Sequence, residues 1–490
     1  MIGLLSLKDN KKKPQVILLV VDGLRGDVLF DEYNKDTFNG AFSKFIDKGL
    51  VFETTFSNGC PTQTSMNSLL TSSYPLDEGG YDFGLLTRKK HQSFVSELQK
   101  HGVQTFGLAS CPWNSSFFGF DHGYDCHHDF FNSLALIDPV LNSIYSPNSI
   151  LCKEFTGLKL YIAKLQQFFD RQMKVFIANR RGDSASSYCS TRSFKKINRL
   201  VSFIEGGRFF RFDDRLIKLR ALTFLKKVIN KFFLIIGFPY KFFVSENIFL
   251  LRDIKKHFFD EIISFCSVGK SFASLHIMDL HDLYRGKVFS KNVDSDKAYR
   301  SSLKYLDAEL DGLIERFSKE MENPVFILCG DHGSYNAQPN RGVASQNNYD
   351  SVYRENITTF LGFYGPSIKP SMRKNVVSLL DLGPTICGLF DIKHPNSKGR
   401  DLFDNKASEF GYSIAETIGP GPCFVDSRPI TISVTDSNSQ LILREYLTKY
   451  NRLTDKIVEF STSETEHVNK IFVDFYSVAM NRLIEVRGKN

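Results

Sequence analysis

The chain has 490 residues, enough for one large α/β domain with insertions or for about two or three domains. Its 42% hydrophobic and 24% charged residues are those of a globular protein and exclude a disordered or fibrous chain. The formal charge of +8 is uneven, because residues 191–260 hold 16 Lys/Arg against 6 Asp/Glu.

Nine scattered cysteines without a Cys-x-x-Cys pair argue against a zinc ribbon or a disulfide framework. They predict a reducing, cytoplasmic compartment. The apolar part of residues 1–8 is too short for a signal peptide, and the charge order is wrong for one. No run reaches the ~18 uninterrupted apolar residues of a membrane span.

In chain order, 16–21 reads as a strand, 38–48 as a helix and 51–55 as a strand. Residues 64–72 and 92–101 read as helices and 103–110 as a strand. The pattern resumes with strand 271–278, a long amphipathic helix over 295–319, strands 325–329 and 358–364, and a helix over 376–390. Strands alternating with helices imply an α/β fold, a mostly parallel central sheet flanked by helices. Residues 136–270 read as a basic helical insertion in an α/β domain spanning 14–400. Residues 401–490 predict a small antiparallel subdomain, with strands at 429–435, 440–446 and 456–460 and a helix from 464 onward. The insertion reads first as a cap over the active site. Its alternation of Lys/Arg with Phe, Leu and Ile also fits a peripheral contact with an anionic membrane through 191–260. No nucleic-acid motif accompanies the charge, so no nucleic-acid partner is expected.

Two apolar runs end in ligand-type residues. Val16 to Val21 leads into Asp22, and Pro324 to Gly330 leads into Asp331 and His332. Both runs read as strands buried on both faces, so these side chains emerge at strand carboxyl ends, where open α/β sheets bind ligands. Hard oxygens and an imidazole there point to a metal. The segment from Ser57 to Pro75 places Thr62 at a predicted helix start. Read alone, Thr62 caps that helix. As a nucleophile it requires activation by a metal or base, because its free pKa is high. His127 and His128 read first as a polar loop and second as candidate ligands, and Asp307 and Asp311 as the solvated face of the 295–319 helix.

The chain resembles the sulfatase branch of the alkaline phosphatase superfamily over nearly its whole length, as a sulfatase N-terminal domain. The carrying motifs run in the family's order: Val20-Val21-Asp22-Gly23; Thr62 before Leu69-Leu70-Thr71; Gly102-Val103-Gln104-Thr105 with Gly119-Phe120-Asp121; Met278-Asp279-Leu280-His281; Gly330-Asp331-His332-Gly333; Asp381-Leu382-Gly383-Pro384-Thr385; and Gly399 to Leu402. Three departures matter. Thr62, not Cys60, falls at the nucleophile position and Met66 at the signature's Arg, so no formylglycine is expected. Gly23 replaces the second Asp of the family's Asp-Asp pair. Gln346 to Asp350 lacks the usual lysine.

The resemblance implies a metal-dependent hydrolase or transferase acting on phosphate esters through a covalent Thr62 intermediate. Asp22, Thr62, Asp331 and His332 hold one divalent ion, and His281 contacts the ester or protonates the leaving oxygen. Asp279 and His276 or His281 are candidates for a second ion. Manganese, zinc, magnesium and calcium all accept this mixed ligand set. The implied substrate is an anionic ester, on a glycan or a lipid, in envelope or glycan modification. A sulfuric ester hydrolase without formylglycine is the first alternative, and an inactive binding pseudoenzyme the second.

Overall fold

The computed structural model describes residues 14–78, 93–130, 251–267, 269–283, 294–334, 352–404, 411–418, 429–447 and 453–488. All of them belong to one compact unit made of residues 1–130, 248–422 and 427–490. The basic stretch 191–250, with its cap and membrane readings, lies outside the described residues, as does the Gln346 to Asp350 segment.

The first half of the described fold contains β1 (Gln15–Val21), α1 (Gly26–Tyr33), α2 (Ala41–Lys48), β2 (Leu50–Phe56), α3 (Thr62–Thr71), α4 (Phe94–Lys100), β3 (Gln104–Ala109) and β4 (Cys126–Asp129). After the insertion come α5 (Leu251–His257), α6 (Phe259–Cys266), β5 (Ser271–Ile277), α7 (Ser295–Glu320), β6 (Pro324–Gly330), β7 (Thr358–Thr359), β8 (Leu361–Tyr364), β9 (Ser371–Ser378) and α8 (Leu382–Leu389). The chain closes with β10 (Ser413–Ile418), β11 (Pro429–Thr435), β12 (Ser439–Leu447), β13 (Leu453–Thr462) and α9 (Val468–Gly488).

The main sheet runs β4-β3-β5-β1-β6-β8-β2-β7, with β9 beside β2. The first five strands in that order are mutually parallel, and β8 pairs antiparallel with both β6 and β2. Every residue of β1 and of β6 is buried, as strands covered on both faces require. Their register sets Val21 beside Gly330 and Ile277. Asp22 and Asp331 therefore leave neighbouring strands at the same edge, although 309 positions separate them in the chain. Helix α7 covers the sheet with a stripe of Tyr299, Leu303, Leu306, Leu310, Leu313 and Phe317.

The second sheet, β10-β11-β12-β13, is antiparallel throughout. Alternate residues Ile430, Ile432 and Val434 of β11 bury against Phe475, Ala479 and Leu483 of α9. The expected mostly parallel α/β sheet and the small antiparallel sheet are both present.

Four local expectations change. The helix expected over 376–390 starts late, because Val376 and Val377 pair with Thr54 and Thr55 as part of β9. Their β-branched side chains suit a strand, and only the chain from Leu382 is α-helical. The strand expected over 358–364 is split at Phe360 into β7 and β8. Residues 251–266, at the end of the predicted insertion, form α5 and α6 and bury Leu251, Ile254, Phe258 and Ile262 in the main core. Asp307 is not on a solvated face. It is buried, and its carboxylate accepts from the backbone N–H groups of Gly40 (2.8 Å) and Phe42 (2.7 Å) at the start of α2. That helix has no side-chain cap of its own, so Asp307 satisfies its orphan donors from another helix.

Candidate functional site

Asp22, Asp331 and His332 come together at the carboxyl edge of the main sheet, each with a ligand atom within 4.8 Å of the others. Two features of the turn after β1 set this up. Gly23 has a left-handed φ of +72°, which frees its N–H to donate to Asp331 Oδ1 at 3.0 Å. Tyr299, buried on α7, donates its hydroxyl hydrogen to Gly23 O (2.8 Å) and accepts from Arg25 N–H (2.9 Å). Gly333 is required by space: a Cβ there would lie 2.1 Å from Glu355 O.

Asp331 Oδ1 also accepts from His332 N–H at 2.8 Å, so the carboxylate is fixed through one oxygen. His332 Nδ1 faces Gly333 O at 2.6 Å. A carbonyl only accepts, so Nδ1 carries the hydrogen and Nε2 is the nitrogen turned into the site. Thr62 completes the group. Its hydroxyl donates to Asp22 Oδ2 at 2.9 Å and lies 3.2 Å from His332 Nε2.

Thr62 is the first residue of α3, with Pro61 as the N-cap. The capping reading of Thr62 is therefore corrected: its hydroxyl points to Asp22 and not to the helix backbone. Every residue of α3 is buried, and Ser65, one turn on, donates to Asp331 O. The helix start is thus tied to the strand end that carries Asp331.

The donor set fits a divalent cation. Asp22 Oδ1 and Asp331 Oδ2 are buried without a hydrogen-bond partner, and Asp331 Oδ2 lies 3.4 Å from His332 Nε2. Electron-rich atoms converging without donors between them are what a cation satisfies. Burial alone raises the Asp331 carboxyl, but the imidazoles of His332 and His276 and the Gly23 N–H outweigh it and hold it below the usual carboxylate range.

His281 is not part of this cluster. It follows β5 at the same sheet edge and pairs its Nδ1 with Asp282 Oδ1 at 2.8 Å. His276 is buried in β5 with both ring nitrogens unpartnered, and its Nε2 is 3.8 Å from Asp331 Oδ2. Asp279 is also buried, and its Oδ2 accepts from Leu251 N–H at 2.8 Å. Sequence reasoning missed Tyr299, Ser65 and Cys111. Cys111 is buried after β3, and burial and then the charges of Asp22, Asp331 and Asp282 push its thiol well up. Its approach to Asp22 depends on strand order, which no local pattern carries.

Other motifs prove to be scaffold. Asp125 ties the turn before β4 to Thr105 N–H (2.9 Å). Asp381 accepts from Arg400 N–H (2.8 Å) and Ser378 N–H (3.0 Å), closing the domain's last turn. His394 sits in a loop near Thr71 O (3.2 Å).

The family model described as Sulfatase matches residues 14–392. The chain belongs to the Sulfatase family. No curated protein matches its sequence. Among solved structures, a putative sulfatase from Bacteroides thetaiotaomicron superposes with a TM-score of 0.57 at 10% identity, covering 97% of this chain and 93% of that one. A phosphonate monoester hydrolase from Silicibacter pomeroyi gives 0.54 at 12%, covering 98% and 96%. A protein of the alkaline phosphatase superfamily from Vibrio parahaemolyticus gives 0.53 at 11%, covering 100% and 90%. At these identities the likeness is one of fold. Among the described residues of this Sulfatase-family chain, no helix is long and apolar enough to cross a membrane.

Proposed function

We propose that this member of the Sulfatase family is a metal-dependent hydrolase or transferase of phosphate esters that works through a covalent Thr62 intermediate. The observation that carries the reading is the Thr62 hydroxyl donating to Asp22 Oδ2 at 2.9 Å, beside His332 Nε2 at 3.2 Å. Asp22, Thr62, Asp331 and His332 would hold a divalent cation, which would supply Lewis acidity to a phosphoryl oxygen and favour the ionised hydroxyl.

The chain's own groups account for the rest. Thr62 Oγ attacks phosphorus as its proton passes toward Asp22, and the bond to the leaving oxygen breaks in line. The positive end of α3, at whose first position Thr62 stands, faces the anionic ester. His281, oriented by Asp282, protonates the leaving oxygen. Water or an alcohol on a glycan or lipid then takes the phosphoryl group from Thr62. The acceptor decides between hydrolase and transferase.

Membership of the Sulfatase family favours a second reading, a sulfuric ester hydrolase without formylglycine. Parallel assays with an aryl phosphodiester and an aryl sulfate separate the two. The proposal expects turnover of the phosphodiester, and a loss of more than about 10³-fold in Thr62→Ala. Faster cleavage of the aryl sulfate, or full activity in Thr62→Ala, would overturn it.

A further inference from the structure

A second ligand-type cluster lies away from the catalytic edge, at the end of the main sheet. Strand β4 has the sequence Cys126-His127-His128-Asp129 and pairs only with β3 among the described strands. The two-residue period of a strand puts Cys126 and His128 on one face and His127 and Asp129 on the other. On the first face, Glu261 from the opening turn of α6 meets both. Cys126 Sγ is 3.5 Å from His128 Nε2 and 3.8 Å from Glu261 Oε1, and His128 Nε2 is 2.8 Å from Glu261 Oε1.

These separations can be set against a tetrahedral zinc site. Metal–ligand lengths of about 2.0–2.3 Å at tetrahedral angles place neighbouring ligand atoms about 3.4–3.6 Å apart. Sulfur to nitrogen and sulfur to oxygen already lie near that spacing. The nitrogen–oxygen pair is a hydrogen bond and must open by about 0.5 Å to reach it. Glu261 can do this, because its side chain is 47% exposed and ends a flexible stem. The His128 ring is held between Phe106 (5.6 Å between centroids) and Phe258 (5.1 Å), which limits its rotation.

We propose that Cys126, His128 and Glu261 form a second metal site, selective for a thiolate-seeking ion of the zinc class. The soft sulfur distinguishes it from the oxygen and nitrogen set around Thr62. On binding, Cys126 gives up its thiol proton to solvent and its sulfur takes the metal; no redox step is involved. The site joins residues 135 positions apart in the chain. It clasps β4, which ends one residue before 130, to the helices that begin at Leu251, on either side of the insertion in sequence. The role is structural and independent of the chemistry at Thr62.

Cobalt(II) titration of chelator-treated full-length protein is the test, because a thiolate ligand gives a near-ultraviolet charge-transfer band that carboxylate and imidazole ligands do not. The expected result is such a band in the wild type, removed by zinc, absent in Cys126→Ser and retained in Asp22→Asn. Glu261→Gln, at an exposed position where folding is not at risk, keeps the band but weakens cobalt binding at least about tenfold. No band in the wild type, a band that survives Cys126→Ser, or unchanged affinity in Glu261→Gln would overturn the proposal.

Discussion

Two buried polar clusters in this fold use similar groups and end in different electrostatic states. At the base of the antiparallel subdomain, Glu416 and Asp77 share one guanidinium: Arg482 Nε meets Glu416 Oε1 at 2.5 Å and Arg482 Nη2 meets Asp77 Oδ1 at 2.9 Å. Glu416 Oε2 also accepts from Leu76 N–H at 3.0 Å. At the sheet edge, Asp22 and Asp331 likewise bring two carboxylates together, yet each leaves an oxygen unpartnered, and an imidazole and a hydroxyl stand where an Arg would be. The first cluster sets a guanidinium between its two carboxylates, offsetting part of their charge, and holds α9 against the segment after α3. The second keeps buried acceptors in excess, the arrangement that a bound cation satisfies and that folding alone does not favour.

Mutations at the two clusters should therefore separate metal binding from stability. Asp331→Asn should lower both metal content and turnover by more than about a hundredfold, since loss of a mere outer-shell partner already costs 10–100-fold. Its thermal stability without metal should fall less than that of Arg482→Met, read by calorimetry. Arg482→Met should do the reverse. It strands two buried carboxylates and should cost about 3–5 kcal/mol in urea unfolding, while the folded fraction keeps its metal. Loss of metal in Arg482→Met would break the distinction.

Tyr299→Phe tests the link between core and site. It removes the two hydrogen bonds that fix Gly23 and Arg25, and should cost about 1–3 kcal/mol with a roughly tenfold fall in kcat. An unchanged kcat would detach the turn from the chemistry.

An effect confined to one pH window is at Asp279. Burial above all, opposed by the Leu251 N–H, raises its carboxyl to about 7. The native state then holds a proton that the unfolded chain releases above about pH 4, so stability falls as pH rises from about 4 to about 7. Asp279→Asn should flatten that slope in urea unfolding measured at about pH 5 and about pH 8.

The contrast also marks what the sequence carries. Asp22 and Asp331 were legible because the runs before them are apolar on both faces, which signals buried parallel strands and places their ends at a ligand crevice. Thr62 was legible through its spacing from Leu69 and Leu70, although its hydrogen-bond partner was not. Tyr299 and Cys111 were hidden, since a Tyr on an apolar helix face and a lone Cys after a strand carry no local sign of their partners. His127 and His128 read as a loop because two polar histidines lack a strand's alternation. Edge pairing with β3 supplies what propensity does not. Val376 and Val377 misled in the opposite direction, since an apolar pair leading into a helix takes the helix's period.

The central claim is that Thr62 carries the transferred group. Mass spectrometry of the peptide containing Thr62, after brief exposure to an aryl phosphodiester and an acid quench, tests it directly. A phosphoryl adduct on Thr62 that is absent from the Asp22→Asn variant is the predicted result. An unmodified Thr62 during full turnover, or formylglycine at Cys60, would contradict it.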